Sequence, residues 1–180
     1  MRDQVLVGLV ASMPGKRVLG KKSFQKLVYF LQRRGLDLGF KYGLHFYGPY
    51  SFDLAEYVRS LEMSAVLTLT DAGRSVEISL GPSGTDLLEQ AQQKTPPGHK
   101  NVIQSVAREL GGKSAMQLEL LATVDFLAVN ARSSVIRVDQ LQAWVDSAKH
   151  GKFDPGDIGN AADELVNLGF LSEADPFPQV

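Results

Sequence analysis

The sequence has no cysteine, one tryptophan and three histidines, and these shortages exclude more than its ordinary features establish. Without cysteine there is no disulfide framework, no thiol nucleophile and no cysteine-based zinc site. His45, His99 and His150 are far apart and none has a second histidine or a carboxylate at ligand spacing, so no metal and no other cofactor is expected. No apolar run reaches the length of a membrane span. The run VLVGLV near the start is short and Asp3 offsets Arg2, which argues against a targeting segment and for a soluble cytoplasmic protein.

What is present is an ordinary globular composition, 180 residues with 44% hydrophobic content, and an uneven charge. The net charge is −1, yet Lys16, Arg17, Lys21, Lys22, Lys26, Arg33, Arg34 and Lys41 stand against Asp37 alone. An excess of this kind can hold phosphates or an acidic protein surface; a solvated basic face is its plain alternative.

The periodicity over residues 23–61 organises the chain. Phe24, Leu27, Val28 and Leu31 recur at helical spacing, with Gln25, Lys26, Gln32 and Arg33 on the other side, and Gly35 is placed to end this helix. Leu54, Tyr57, Val58 and Leu61 repeat the spacing over 52–62. Between them HFYGPYS forms an aromatic turn. Ahead of this pair, Val5, Leu6, Leu9, Val10 and Met13 predict a first helix that stops at Pro14, followed by a basic loop, GKRVLGKK. After it, Val76, Ile78 and Leu80 alternate with polar residues, and Asp71 to Gly73 close a hairpin with 66–70. Ser83 with Asp86 predicts a capping box for a fourth helix.

Lys94 to Lys100, KTPPGHK, is the best candidate boundary. Beyond it the pattern is helical: Val102 to Leu110, then a helix capped by Ser114 and Gln117, then Leu141, Trp144, Val145 and Ala148, and a last helix opened by Asp154 and Pro155 and stopped by Gly169. The expected fold is mainly α with a small β-hairpin (α+β). A winged-helix-type domain covers 1–94, a helical domain 99–171, and a loose tail 172–180.

FQKLVYFLQ followed by FYGPYSFDLAEYVRSL resembles the paired motif of Panacea-type proteins, which include SocA-like antitoxins, and of YwgA-like proteins. Lys26, Leu27, Val28 and Tyr29 match the first motif, and Gly48 and Pro49 the second. Phe46 and Tyr47 stand where the Panacea pattern has tryptophan, which is closer to the YwgA-like variant. VEISLGPSGTDLL is similar to the second wing strand and following helix of MarR-type regulators.

One enzyme motif is nearly present. Gly15, Gly20 and Lys21 satisfy the phosphate-loop spacing, but Lys22 occupies the position that needs Ser or Thr for magnesium. LLATVD, ending at Asp125, reads as helix rather than as an acidic strand. No catalytic residue is assigned, and a nucleotide-binding enzyme ranks third.

The leading expectation is a non-catalytic, DNA-binding regulatory module contacting phosphates through Lys16, Arg17, Lys21, Lys22, Arg59 and Arg74. Against it, the helix at 52–62 carries Asp53, Glu56 and Glu62, which repel phosphate. The second expectation is an antitoxin- or adaptor-type protein-interaction module using Tyr47, Tyr50, Asp53 and Glu56. The partners considered are therefore DNA or a protein, with a homodimer left open and no membrane.

Overall fold

The computed structural model describes residues 1–131 and 138–171. The chain runs α1 (Arg2–Ser12), a 3-10 turn (Pro14–Lys16), β1 (Arg17–Leu19), α2 (Lys21–Arg33), β2 (Gly43–His45), β3 (Gly48–Tyr50) and α3 (Phe52–Met63). It continues with β4 (Leu67–Asp71), β5 (Val76–Leu80), α4 (Pro82–Lys94), α5 (Pro97–Leu110), α6 (Ala115–Asn130), α7 (Val138–Lys149) and α8 (Pro155–Asn167). The protein is thus mainly helical with small antiparallel sheets.

Helix α2 is central, and here the expected two-sided pattern is corrected. Every residue from Ser23 to Leu31 is buried, Gln25 and Lys26 included. Its apolar stripe meets the core, while α6 and strand β3 cover the side that carries the polar residues. A helix can be buried all round only if its polar groups find partners. Gln25 does so by bonding both the N–H and the C=O of Ser51 at 3.0 and 2.9 Å. The helix ends in a Schellman turn: Gly35, at φ 91°, donates to Gln32 O, and Leu36 donates to Leu31 O. Leu27, Val28, Leu54 and Val58 are all buried in one hydrophobic cluster that extends from Val5 to Leu171.

The basic loop is also corrected in part. Residues 17–19 form β1, which pairs antiparallel with β5 through Val18 and Ile78, so the hairpin β4–β5 becomes a three-stranded sheet of order β1-β5-β4. Val18 is buried between exposed Arg17 and Leu19, a period-two pattern too short to read without its partner. Ser83 does not cap α4. Pro82 already occupies the first helical turn, Gly81 is the N-cap, and the Ser83 N–H is drawn to Ala65 O. The capping box at Ser114 and Gln117 forms on α6. Trp144, read as part of a buried stripe, is 36% exposed. Helix α5 packs on α1 and α6 on α2. The tail expected from Ser172 lies outside the described residues.

Candidate functional site under the Gly-Pro hairpin

The two motifs at 26–29 and 48–49 dock on each other. The aromatic turn is a two-stranded hairpin in which His45 pairs with Gly48 and Leu44 with Pro49. Its backbone carbonyls point inward to buried lysines: Lys26 Nζ donates to Pro49 O at 2.6 Å, and Lys149 Nζ to Phe46 O at 2.7 Å. Gly48 sits at φ 80°, and a Cβ there would lie 2.8 Å from Thr123 Oγ1 on α6. Both the conformation and the close approach demand glycine.

Beneath the hairpin three ammonium groups gather around one carboxylate. Glu119 of α6 is ion-paired with Lys149 through Oε1 at 3.1 Å and with Lys152 through Oε2 at 2.8 Å. Lys26 completes the group, and Lys22 stands at the rim with Nζ 3.0 Å from the centre of the Tyr47 ring. The Lys149–Glu119 contact lacks hydrogen-bond alignment, and the buried Thr123 hydroxyl has no partner either. Burial, with Lys149 and Lys22 adding repulsion, brings the Lys26 ammonium down to a pKa of about 7; attraction to Glu119 offsets only part of this. Lys149 is lowered for the same first reason, burial, with Lys152 repelling it and Glu119 pulling it back. A lysine that exchanges its proton near neutrality beside a carboxylate can serve acid–base chemistry.

A second buried cluster lies further along the same two helices. Asp125 accepts from Tyr29 Oη at 2.5 Å and from Arg33 Nε and Nη2 at 2.6 and 3.0 Å. Burial and then Asp125 push the Tyr29 phenol well above its usual range. Burial pushes Asp125 upward while Arg33 and Tyr29 pull it back. This set is charge-balanced and closed.

The residues expected to contact DNA are brought together only in part. Lys16 lies in the 3-10 turn at φ 54°, and Arg17 is paired with Glu77 at 2.9 Å. Lys21 and Lys22 open α2, Lys21 sharing one small cleft with Arg59 and another with Arg74. Tyr47 is 40% exposed and Tyr50 is half-buried, with Asp53 and Glu56 exposed on α3. Glu119, Thr123, Lys149 and Lys152 were absent from every candidate set. The available signal was Glu119 and Thr123, four apart on one face of a helix whose other positions are mostly apolar. Among the described residues no group of three or more histidines and carboxylates is placed to hold a metal, and no helix is long and apolar enough to cross a membrane.

No protein-family model matches the chain. It is similar to the DNA ADP-ribosyl glycohydrolase of Thermus aquaticus, with 29% identity over 155 residues that cover 85% of this chain and 42% of that protein. It is also similar to the uncharacterised protein YwgA of Bacillus subtilis strain 168, with 29% identity over 111 residues, 59% of this chain and 64% of that protein. The chain therefore spans less than two thirds of the length of either relative. The first similarity overturns the non-catalytic regulatory role expected from the helix and hairpin order, and with it the expectation that no enzyme is involved: a relative along most of the chain is a hydrolase by name. Helix order alone carries no information on chemistry, which resides in sites placed on folds.

Proposed function

We propose that the chain acts in the hydrolytic removal of ADP-ribose from DNA, with the Lys26–Glu119 cluster as its acid–base centre. The observation that carries this reading is the 155-residue similarity to a DNA ADP-ribosyl glycohydrolase. The cluster supports it because glycoside hydrolysis needs a base to take a proton from water and an acid to protonate the departing group. In this reading the Glu119 carboxylate takes the water proton as the oxygen joins the anomeric carbon. The carbon–base bond breaks, and the Lys26 ammonium returns a proton to the freed base. The helices α1–α3 and the β4–β5 hairpin, in a winged-helix-type arrangement, serve as the scaffold.

The test is release of ADP-ribose from an oligonucleotide carrying one ADP-ribosyl group. Release by the wild-type chain is expected to fall at least about a hundredfold in Glu119→Gln, on the scale of a lost general base. Release should also decline as pH rises through about 7, where Lys26 loses its proton. Absence of release by the wild-type chain overturns the reading.

A further inference from the structure

Helix α1 is apolar on most sides: Val5, Leu6, Val7, Leu9 and Val10 are all buried. One stripe departs from this pattern. Gln4, Gly8, Ala11 and Ser12 share one face of the helix and are small or polar, where their neighbours are large and aliphatic. Helices α4 and α5 both pack on α1, and between them this stripe forms the floor of a cavity of about 300 Å³. Leu88 and Ala91 of α4 and Ile103 of α5 give the cavity apolar walls. Larger side chains at Gly8 and Ala11 would occupy the space, so these two residues keep it open. An apolar cavity with a few polar groups at fixed places suits a small molecule.

The two ends of the cavity differ. Gly8 faces Ile103, where a Cβ would lie 3.3 Å from Cδ1, and Gly111 faces Pro14, so α1 and α5 run in the same direction. Lys16, just past the last turn of α1, therefore lies at one end with Ser12. Thr95, in the link that precedes α5, lies at the other end with Gln4. Among the described residues the Lys16 ammonium has no acidic partner, whereas Lys100, which also lines the cavity, is already engaged. Thr95 is 8% exposed, and its hydroxyl makes no hydrogen bond to the described residues. A hydroxyl withdrawn from water and left unpaired carries a penalty that a polar ligand atom placed against it removes. From Gln4 to Ser12 the stripe is about 12 Å long, at roughly 1.5 Å per residue.

We propose that the cavity between α1, α4 and α5 binds a small amphipathic hydroxy-acid: its carboxylate rests on Lys16 and Ser12, its apolar body lies on Gly8 and Ala11, and its far hydroxyl meets Thr95. The length of the stripe limits that body to one ring with a short chain. A flat ring suits the floor, because glycine and alanine give it little relief. The cavity shares no residue with the Glu119 cluster. The inference therefore goes beyond the function proposed above and stands or falls separately from it.

The experiment titrates the full chain calorimetrically with p-hydroxyphenylpropionate, with phenylpropionate, which lacks the hydroxyl, and with p-propylphenol, which lacks the carboxylate. The first is expected to saturate and to bind tightest, by about three- to tenfold over either of the others, the scale of one hydrogen bond or exposed charge contact. Thr95→Val should weaken the two phenols by that factor and leave phenylpropionate unchanged. Lys16→Ala should weaken the two carboxylates and leave p-propylphenol unchanged, with thermal unfolding unaffected because Lys16 is exposed. Ala11→Leu, which fills the floor, should abolish binding of all three; if that variant does not fold, the Thr95 and Lys16 variants decide. No saturable binding of p-hydroxyphenylpropionate, equal affinity for the three compounds, or a Thr95 or Lys16 variant that affects all three alike or none overturns the proposal.

Discussion

Helices α2 and α6 join through two buried polar clusters that differ in one respect. Around Asp125 a carboxylate meets one guanidinium and one phenol, and both of its oxygens accept hydrogen bonds. Around Glu119 a single carboxylate meets Lys149 and Lys152 with Lys26 close by, and a buried hydroxyl is left without a partner. The same pair of helices thus contains a balanced set, which fixes their register, and an overcharged set, which holds a lysine near its titration point. Balanced buried charges are costly to break and chemically quiet, whereas unbalanced ones keep a proton available.

Breaking the balanced cluster should have the largest effect. Asp125→Ala leaves Arg33 and Tyr29 without their shared acceptor, and a loss of about 3–5 kcal/mol is expected by chemical denaturation. A loss below about 1 kcal/mol, the scale of a surface pair, would show that Arg33 simply turns to solvent. Gly48→Ala comes next. It forces an unfavourable φ and a contact with Thr123, and should cost about 1–3 kcal/mol while loosening the hairpin.

Lys26→Met probes the overcharged cluster: it leaves Pro49 O without its donor but removes a desolvated charge among like charges, and the net cost at pH 7 should stay at about 1–2 kcal/mol. Its signature is in the pH dependence. In the folded protein Lys26 releases its proton near pH 7, while in the unfolded chain it does so near 10.5. Between those values the unfolded state binds more protons, so the wild type gains stability from this group as pH rises. The variant should lose that contribution to the slope, and parallel curves for the two proteins would refute the assignment. The smallest effect belongs to Arg17→Ala at the exposed pair with Glu77, expected within about 0.5 kcal/mol.

Much of the scaffold was legible because its signals are local. Leu27, Val28, Leu54 and Val58 announce their burial by spacing alone, the β4–β5 hairpin by alternation, and the start of α6 by Ser114 and Gln117. What could not be read depends on residues far away in the chain. Lys26 reads as part of a solvent-facing side because nothing within its own helix shows that Pro49 will come to lie against it and Glu119 near it. Val18 needed Ile78, sixty residues on, to become a strand residue. Of the site, the Gly48–Pro49 turn and Lys26 were visible as motif residues, but Glu119, Lys149 and Lys152 converge from segments that share no pattern with them.

The last turn of α2 is tied to the far end of the described chain. Arg33 donates to Phe170 O, Arg34 donates to Leu168 O, and the Arg34 guanidinium lies 4.4 Å from the centre of the Phe170 ring. During synthesis, residues 33 and 34 leave the ribosome more than a hundred positions ahead of these acceptors. Until the segment at 168–170 arrives, two guanidinium groups lack the carbonyls that receive them in the finished protein. Long-range closures of this kind slow folding and prolong the exposure of unfinished surfaces. The central helix is therefore made well before the segment that completes it.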